Sequence, residues 1–240
     1  MSDPIYAIVP AAGVGKRMAA NQPKQYLMLN GKTILEHTLE RLLSVDEIEH
    51  LVLVVSKGDA YLDDLLGEFL NKHQERVSVC HGGAERVDSV LAGLKFAESH
   101  VDNQACWALV HDAARPCVPK QDIKKLIEQV NAEQAGGLLA VPVRDTMKRA
   151  DSQQQTQVLT TVDRAHLWHA LTPQMFELTA LIHAIQSGLQ SGVVITDEAS
   201  AIEAAGHLVQ LVSADPCNLK VTQPEDLALA EFFLTKQAIA

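Results

Sequence analysis

The residues best suited to chemistry begin ten positions into the chain. Pro10-Ala11-Ala12-Gly13-Val14-Gly15-Lys16-Arg17-Met18 follows an apolar run at 5–9 and leads to Pro23-Lys24-Gln25-Tyr26. A small-residue turn after the first strand of an α/β sheet lets backbone N–H groups approach phosphate oxygens closely. A dinucleotide loop would need a third glycine where Met18 stands, and an acidic residue at the end of the second strand. Glu36 instead falls inside a helical pattern. A Walker loop is excluded because Arg17 follows Gly15-Lys16 and Pro10 replaces the first glycine. What remains is a glycine loop that delivers Arg17, then Lys24 seven residues on. Two fixed cations beside a backbone cradle suit a nucleoside triphosphate, whose charge must be neutralised as pyrophosphate departs.

A second constellation, His111-Asp112-Ala113-Ala114-Arg115-Pro116, directly follows the apolar run 107–110. Ligands of open α/β sheets bind beyond the carboxyl ends of the strands, where Asp112 and Arg115 fall. A lone Asp can hold Mg²⁺ on a triphosphate, since magnesium keeps most of its waters and takes one or two carboxylates. Arg115 could clamp a phosphate; pairing of Asp112 with Arg115 across the turn is equally consistent with this segment. Other features carry less. His166 and His169 have no third ligand at zinc spacing, and Ser89 has no nearby His–Asp pair to activate it. Trp107 and Trp168 read as packing residues, and Thr196-Asp197-Glu198 reads as a helix N-cap.

These residues must be positioned by alternating strands and helices. Apolar strand segments at 5–9, 51–55, 77–80, 107–110 and 138–141 alternate with amphipathic stretches at 34–43, 61–70, 87–97 and 123–130. Short links between them imply parallel strands with right-handed crossovers, hence a three-layer Rossmann-like α/β sandwich with a mostly parallel sheet. Residues 142–163 break the rhythm. Segments 144–149 and 156–162 look extended and flank the polar Asp151-Ser152-Gln153-Gln154-Gln155, which predicts a β-hairpin arm with a floppy turn. An isolated two-stranded ribbon is marginal in water, so the arm is expected to pack on something, best of all a second copy of the chain. Helices at 176–186 and 198–205, a strand at 208–212 and a last helix complete the pattern. That helix is expected to open with a Thr222–Glu225 capping box and Pro224 in its first turn.

Composition bounds the rest. The 240 residues suit one domain, 1–240, with the 142–163 arm as an insertion. At 47% apolar and 21% charged residues the chain is of ordinary globular type. Twenty basic against thirty acidic residues leave a net charge of −10, so no global field attracts nucleic acid or an anionic membrane. No apolar stretch approaches the roughly 20 residues of a membrane helix. The scattered Cys80, Cys106, Cys117 and Cys217 read as small buried hydrophobes in a reducing compartment, and the first residues read as neither signal nor transit peptide; a cytoplasmic protein is expected.

Taken in order, the motifs resemble those of the 2-C-methyl-D-erythritol 4-phosphate cytidylyltransferases. They are P-A-A-G-x-G-x-R-M with P-K-Q-Y, G-G-x-E-R-x-x-S at 82–89, and H-D-A-A-R-P. The series continues through P-V-R-D-T-M-K at 142–148, T-V-D-R at 161–164, L-T-P-Q at 171–174, T-D-E-A-S at 196–200 and N-L-K-V-T at 218–222. The resemblance implies transfer of CMP from CTP to the 4-phosphate of methylerythritol, by in-line attack on the α-phosphorus with loss of pyrophosphate, in the non-mevalonate route to isoprenoids. It implies that Arg17 and Lys24 stabilise the transition state and that Pro10, Ala11, Ala12, Gly13, Gly83 and Ser89 line the cytidine site. Asp112 and Arg115 then stand where metal, CTP and acceptor meet. Arg164 and Lys220 supply cations to the acceptor, and Thr146, Thr172 and Thr196 supply hydroxyls. Ala84 stands where some relatives carry an acidic residue, so base selectivity is not assigned to that side chain. The resemblance further implies Mg²⁺ or another divalent ion, and a homodimer whose arm completes the partner's site. The competing readings are the same chemistry on another polyol phosphate such as ribitol 5-phosphate, and a CTP-binding module without turnover.

Overall fold

The computed structural model describes residues 3–13, 22–101, 105–154 and 156–239. Strand β1 (Ile5–Pro10) is followed by a small hairpin of β2 (Met28–Leu29) and β3 (Lys32–Thr33). The alternation then runs α1 (Ile34–Leu43), β4 (Ile48–Val55), α2 (Leu62–Lys72), β5 (Val77–His81), α3 (Arg86–Glu98), β6 (Trp107–Val110), α4 (Lys120–Glu133) and β7 (Gly137–Pro142). The arm strands β8 (Met147–Ala150) and β9 (Val158–Val162) lead to β10 (Trp168–Glu177), α5 (Leu178–Gln190), α6 (Glu198–Ala204), β11 (Gln210–Ser213) and α7 (Glu225–Ile239).

The central sheet has the order β11-β7-β10-β6-β1-β4-β5. Only β10 runs antiparallel to its neighbours, β6 and β7. Side chains alternate between the faces as a strand's period of two requires. Ala7, Val9, Leu51 and Leu53 enter the layer formed with α1, α2 and α4. Tyr6, Ile8, Val52 and Val54 enter the layer formed with α3, α5 and α6. A third cluster seats α7 through Ala230 and Leu234 on Ile34, Cys117 and Val221. This is the expected three-layer sandwich, with α1 matching its apolar period: Ile34, Leu35, Thr38, Leu39 and Leu42 are all buried. Chain order reverses at β1, which pairs with β4 on one side and β6 on the other. Ligand sites of such sheets lie at that reversal, beyond the strands' carboxyl ends.

Three expectations need correction. Residues 176–177 end a ten-residue strand, and the helix begins at Leu178. Pro173 disguised that strand, since proline cannot donate to a ladder; the β10–β7 register breaks between Ala170 and Gln174, which accommodates it. In the arm's turn Asp151 accepts from the N–H groups of Gln153 and Gln154 through Oδ1, while Gln155 lies outside the described residues. The last helix is capped from Asp226, whose Oδ2 accepts from the N–H groups of Thr222 and Gln223 and from the Thr222 hydroxyl. Glu225 is not the capping partner. Trp107 packs in the core as expected, but Trp168 is partly exposed at the foot of the arm, opposite Pro142. Cys106, Cys117 and Cys217 are buried and Cys80 is half-buried, all four as free thiols.

Candidate active site

The ends of β1, β5 and β6 converge on one cleft. It is lined by Pro10, Ala11, Ala12 and Gly13 after β1, by Gly83, Ala84, Glu85, Arg86 and Ser89 after β5, and by Asp112, Ala113 and Ala114 after β6; Lys24, Gln25 and Lys220 close it. The first loop is held by its carbonyls. Buried Gln25 donates through Nε2 to the oxygens of Ala11 (2.7 Å) and Gly13 (3.1 Å), and the Ser56 hydroxyl donates to that of Ala12 (2.8 Å). In a trans peptide the N–H lies opposite the C=O, so the N–H groups of Ala12 and Gly13 face away from these anchors. The resulting cradle of fixed donors suits a phosphate or a base edge. The turn after β5 needs glycine for space rather than for φ. A Cβ on Gly82 would stand 2.5 Å from Ser89 Oγ, and one on Gly83 would stand 2.4 Å from Asp88 Cβ. Only bare backbone lets the start of α3 come so near the strand end.

Lys24 donates through Nζ to the Val221 oxygen at 2.9 Å, and Val221 is hydrogen-bonded to Ala114, so the 220–222 strap crosses the cleft beside it. Asp112 is the centre of the charge network. Its Oδ1 accepts from Arg86 Nε at 3.1 Å; its Oδ2 accepts from Lys220 Nζ at 2.8 Å and lies 3.5 Å from Arg115 Nε. Burial opposes ionisation of Asp112, but Arg86, Lys220 and Arg115 outweigh it and hold the carboxyl well below the usual carboxylate range. Arg86 in turn makes a paired contact with buried Glu198, Nη1 to Oε1 at 2.7 Å and Nη2 to Oε2 at 3.2 Å. Burial works against the charged form of Arg86, and the two carboxylates raise its pKa nevertheless. Three cations therefore face two carboxylates, leaving this network with one formal positive charge in an acidic protein.

A buried scaffold supports Asp112 from below. The Arg115 carbonyl can only accept, so His111 carries its proton on Nε2 (3.1 Å) and presents Nδ1 as acceptor to the Thr172 hydroxyl (3.0 Å). The Thr172 oxygen also accepts from the Asp112 N–H at 3.1 Å. Burial pushes the His111 pKa down to about 4, which keeps the ring neutral. Arg115 Nη1 donates to the Asn218 backbone carbonyl at 2.8 Å, and Asn218 Nδ2 donates to the Thr172 backbone carbonyl at 2.8 Å. Arg115, Asn218 and Lys220 line a second hollow together with His169, Ala170 and Leu171. Lys220 borders both the cleft and this hollow.

The metal is expected at Asp112, mainly through CTP phosphates and water, which asks for no cage of protein ligands. Both oxygens of Asp112 are engaged by cations, and among the described residues no group of three or more His, Cys, Asp or Glu gathers at one point. His166 and His169 accordingly form no such group.

The structure brings together Pro10 to Gly13, Lys24, Gly83, Ser89, Asp112 and Lys220 in one cleft, with Arg115 beside it. Arg17 lies outside the described residues. Asp112 and Arg115 do pair across their turn, but as one contact among three at Asp112. The Thr172 hydroxyl is engaged by His111 and Asp112. Thr196 lies on a third hollow, behind Arg86 and Glu198, and the N-cap of α6 is Asp197, reciprocated by Ser200. Thr146 and Arg164 are exposed on the arm and do not line the cleft of their own chain; Arg164 Nη1 donates to the Arg144 oxygen. The sequence reading overlooked Arg86 and Glu198. The signal was there for Arg86, a cation directly after a glycine turn at a strand end, inside the quoted 82–89 motif.

Comparison with known proteins agrees with this architecture. The family model for 2-C-methyl-D-erythritol 4-phosphate cytidylyltransferase matches residues 5–236. Proteins of that name from Vibrio vulnificus (strain CMCP6) and Aliivibrio fischeri (strain ATCC 700601 / ES114) are 55% identical over 233 residues and 53% identical over 232 residues. Each alignment covers 97% of this chain, and 95% and 94% of the relative. A crystal structure of a 4-diphosphocytidyl-2C-methyl-D-erythritol synthase superposes with a TM-score of 0.82 at 37% identity, covering 98% of this chain and 100% of the other. Matched over nearly its whole length by that family's model and by relatives of that name, the chain belongs to the 2-C-methyl-D-erythritol 4-phosphate cytidylyltransferase family.

Proposed function

We propose that the chain transfers CMP from CTP to 2-C-methyl-D-erythritol 4-phosphate, giving 4-diphosphocytidyl-2-C-methyl-D-erythritol and pyrophosphate. Beyond family membership, the observation that carries this reading is Lys220, a cation shared by the nucleotide-sized cleft and the hollow of Arg115 and Asn218. A phosphate anhydride can form only where two phosphates are held together against their repulsion, and a shared cation does that.

CTP occupies the cleft, its cytidine along Pro10 to Gly13, Gly83 and Ser89, its triphosphate toward Arg17 and Lys24. The acceptor phosphate lies at Lys220 and Arg115, beside Asp112. One of its oxygens forms a bond to the α-phosphorus; the α–β bridging bond breaks, and its electron pair leaves on pyrophosphate. No side chain becomes covalently attached, so positioned charge is the whole of catalysis. Lys24 and Arg17 neutralise the charge that builds on the departing pyrophosphate. Magnesium, or another divalent ion, would enter as part of the CTP substrate, consistent with an Asp112 whose two oxygens already face Arg86 and Lys220.

Residues 1–240 act as one nucleotidyltransferase domain, with 142–163 as a dimerisation arm. Support comes from the arm's exposed apolar side chains, including Val158 (61% exposed) and Leu159 (62%). Thr146 and Arg164 then complete the acceptor site of the partner subunit, while Thr172 and Thr196 support it from within the chain. Four unpaired thiols support a reducing, cytoplasmic setting. The experiment is transfer from CTP to methylerythritol phosphate labelled with ¹⁸O in its phosphate. All label in the diphosphate product and none in pyrophosphate is expected; label in pyrophosphate would contradict the direction of attack.

A further inference from the structure

We infer that Arg86 and Glu198 are a positioning pair that fixes the Asp112 carboxylate, and with it Lys220, for the acceptor phosphate. This deepens the transfer reaction proposed above and rests on it. Glu198 is 2% exposed and lies outside the nucleotide cleft, on the hollow it shares with Arg86 and Thr196. A buried ion pair is a poor device for stability, since apolar residues of the same volume commonly do as well. Its geometry shows a different use. Two parallel hydrogen bonds, Nη1 to Oε1 and Nη2 to Oε2, set the plane of the guanidinium. That plane aims Nε at Asp112 Oδ1 at 3.1 Å, and leaves Oδ2 to Lys220 at 2.8 Å.

Glu198 is itself held rigidly. It opens α6 behind the Asp197–Ser200 capping box, and buried Gln174 ties that turn to the sheet through Asp197 Oδ2 (2.9 Å) and the Ala199 N–H (2.8 Å). The chain of contacts therefore runs from the antiparallel strand β10, through α6 and Arg86, to the cation shared by both hollows. Lysine at 86 would keep the charge but has no planar fork to face two carboxylates at fixed angles.

The test is steady-state kinetics of Glu198→Gln, Arg86→Lys, Arg86→Met and the double variant Arg86→Met/Glu198→Gln, each checked for folding by its thermal transition. Glu198→Gln and Arg86→Lys should each raise the KM for methylerythritol phosphate about tenfold, and in Glu198→Gln, whose side chain lies outside the cleft, the KM for CTP should stay within about twofold. The double variant should be no worse than Arg86→Met alone, because Glu198 acts through Arg86. Wild-type acceptor KM in the two conservative variants, equal shifts of both KM values in Glu198→Gln, or penalties that multiply in the double variant would overturn the proposal. A crystal structure of Glu198→Gln gives a readout without turnover: Asp112 should leave its present position, and an unmoved carboxylate would also overturn it. If the wild-type protein itself transfers nothing to this acceptor, the assigned reaction falls, and the crystal result still decides the positioning role.

Discussion

His111 sits with no exposure to water, its Nε2–H donated to one carbonyl and its Nδ1 filled by the Thr172 hydroxyl, so a second proton has nowhere to go. Its folded pKa of about 4 lies below the ordinary 6.5 of the unfolded chain. The unfolded state then binds more protons between those values, and this contribution to stability, present above pH 6.5, is lost as pH falls toward 4. The full effect is about 3 kcal/mol. Asp112, held below the usual carboxylate range, loses its contribution only at lower pH, and Glu198, whose carboxyl burial pushes up, works in the opposite sense. Comparison with His111→Gln, which keeps a donor toward the Arg115 carbonyl, isolates the ring: urea titrations should give a variant with a flatter profile from pH 6.5 to 4. Parallel profiles would contradict the neutral, buried ring. Lys24→Ala should lower kcat by a factor of about a hundred or more and leave the acceptor KM nearly unchanged, because a charge acting on the departing pyrophosphate is needed in the transition state. An unchanged kcat would remove Lys24 from the mechanism. At this scale the sequence was legible where function residues cluster, as at 10–13 and 111–115. Arg86 was hidden because its partners stand 26 and 112 positions away, and Thr172 because a hydroxyl's partner is decided by the fold.

The elements show why the strand ends had to be glycine-rich. Gly82 is wedged between α3 and the loop after β1, where an added Cβ would meet Ser89 at 2.5 Å and Ala12 at 3.0 Å. Gly82→Ala should therefore cost about 1–3 kcal/mol by overpacking, a fall in Tm of ~2–4 °C per kcal/mol for a chain of this size. It should also raise the KM for CTP; an unaltered Tm and KM would mean that the loops yield freely. The parallel βα units were read nearly to their boundaries, since apolar periodicity is a local signal. Strand β10 was not, because its identity is non-local: Gln174, Met175 and Phe176 gain their strand partners from β6, more than sixty residues earlier. A proline and a polar sequence concealed it, and yet this strand carries both Thr172 and Gln174, the two residues that support Asp112 and α6.

For the whole molecule, the arm is the feature a single chain leaves unexplained. All four residues of β8 are exposed, β9 is exposed over most of its length, and among the described residues the two strands pair only with each other. Val158→Glu with Leu159→Lys should shift the protein from dimer to monomer in sedimentation analysis and depress turnover together with it. A monomeric wild-type protein with full activity would contradict the dimer. Mixing Arg17→Ala chains with Arg164→Ala chains should restore part of the activity if Arg164 serves the partner's site, and confirmed heterodimers without recovery would place Arg164 in its own chain's site. The most direct measurement is pyrophosphate release from MgCTP with methylerythritol 4-phosphate and ribitol 5-phosphate offered separately. Rapid release with the first and only background with the second is the predicted result. Release with ribitol 5-phosphate alone, or with neither from folded protein that binds CTP, would contradict the assigned reaction.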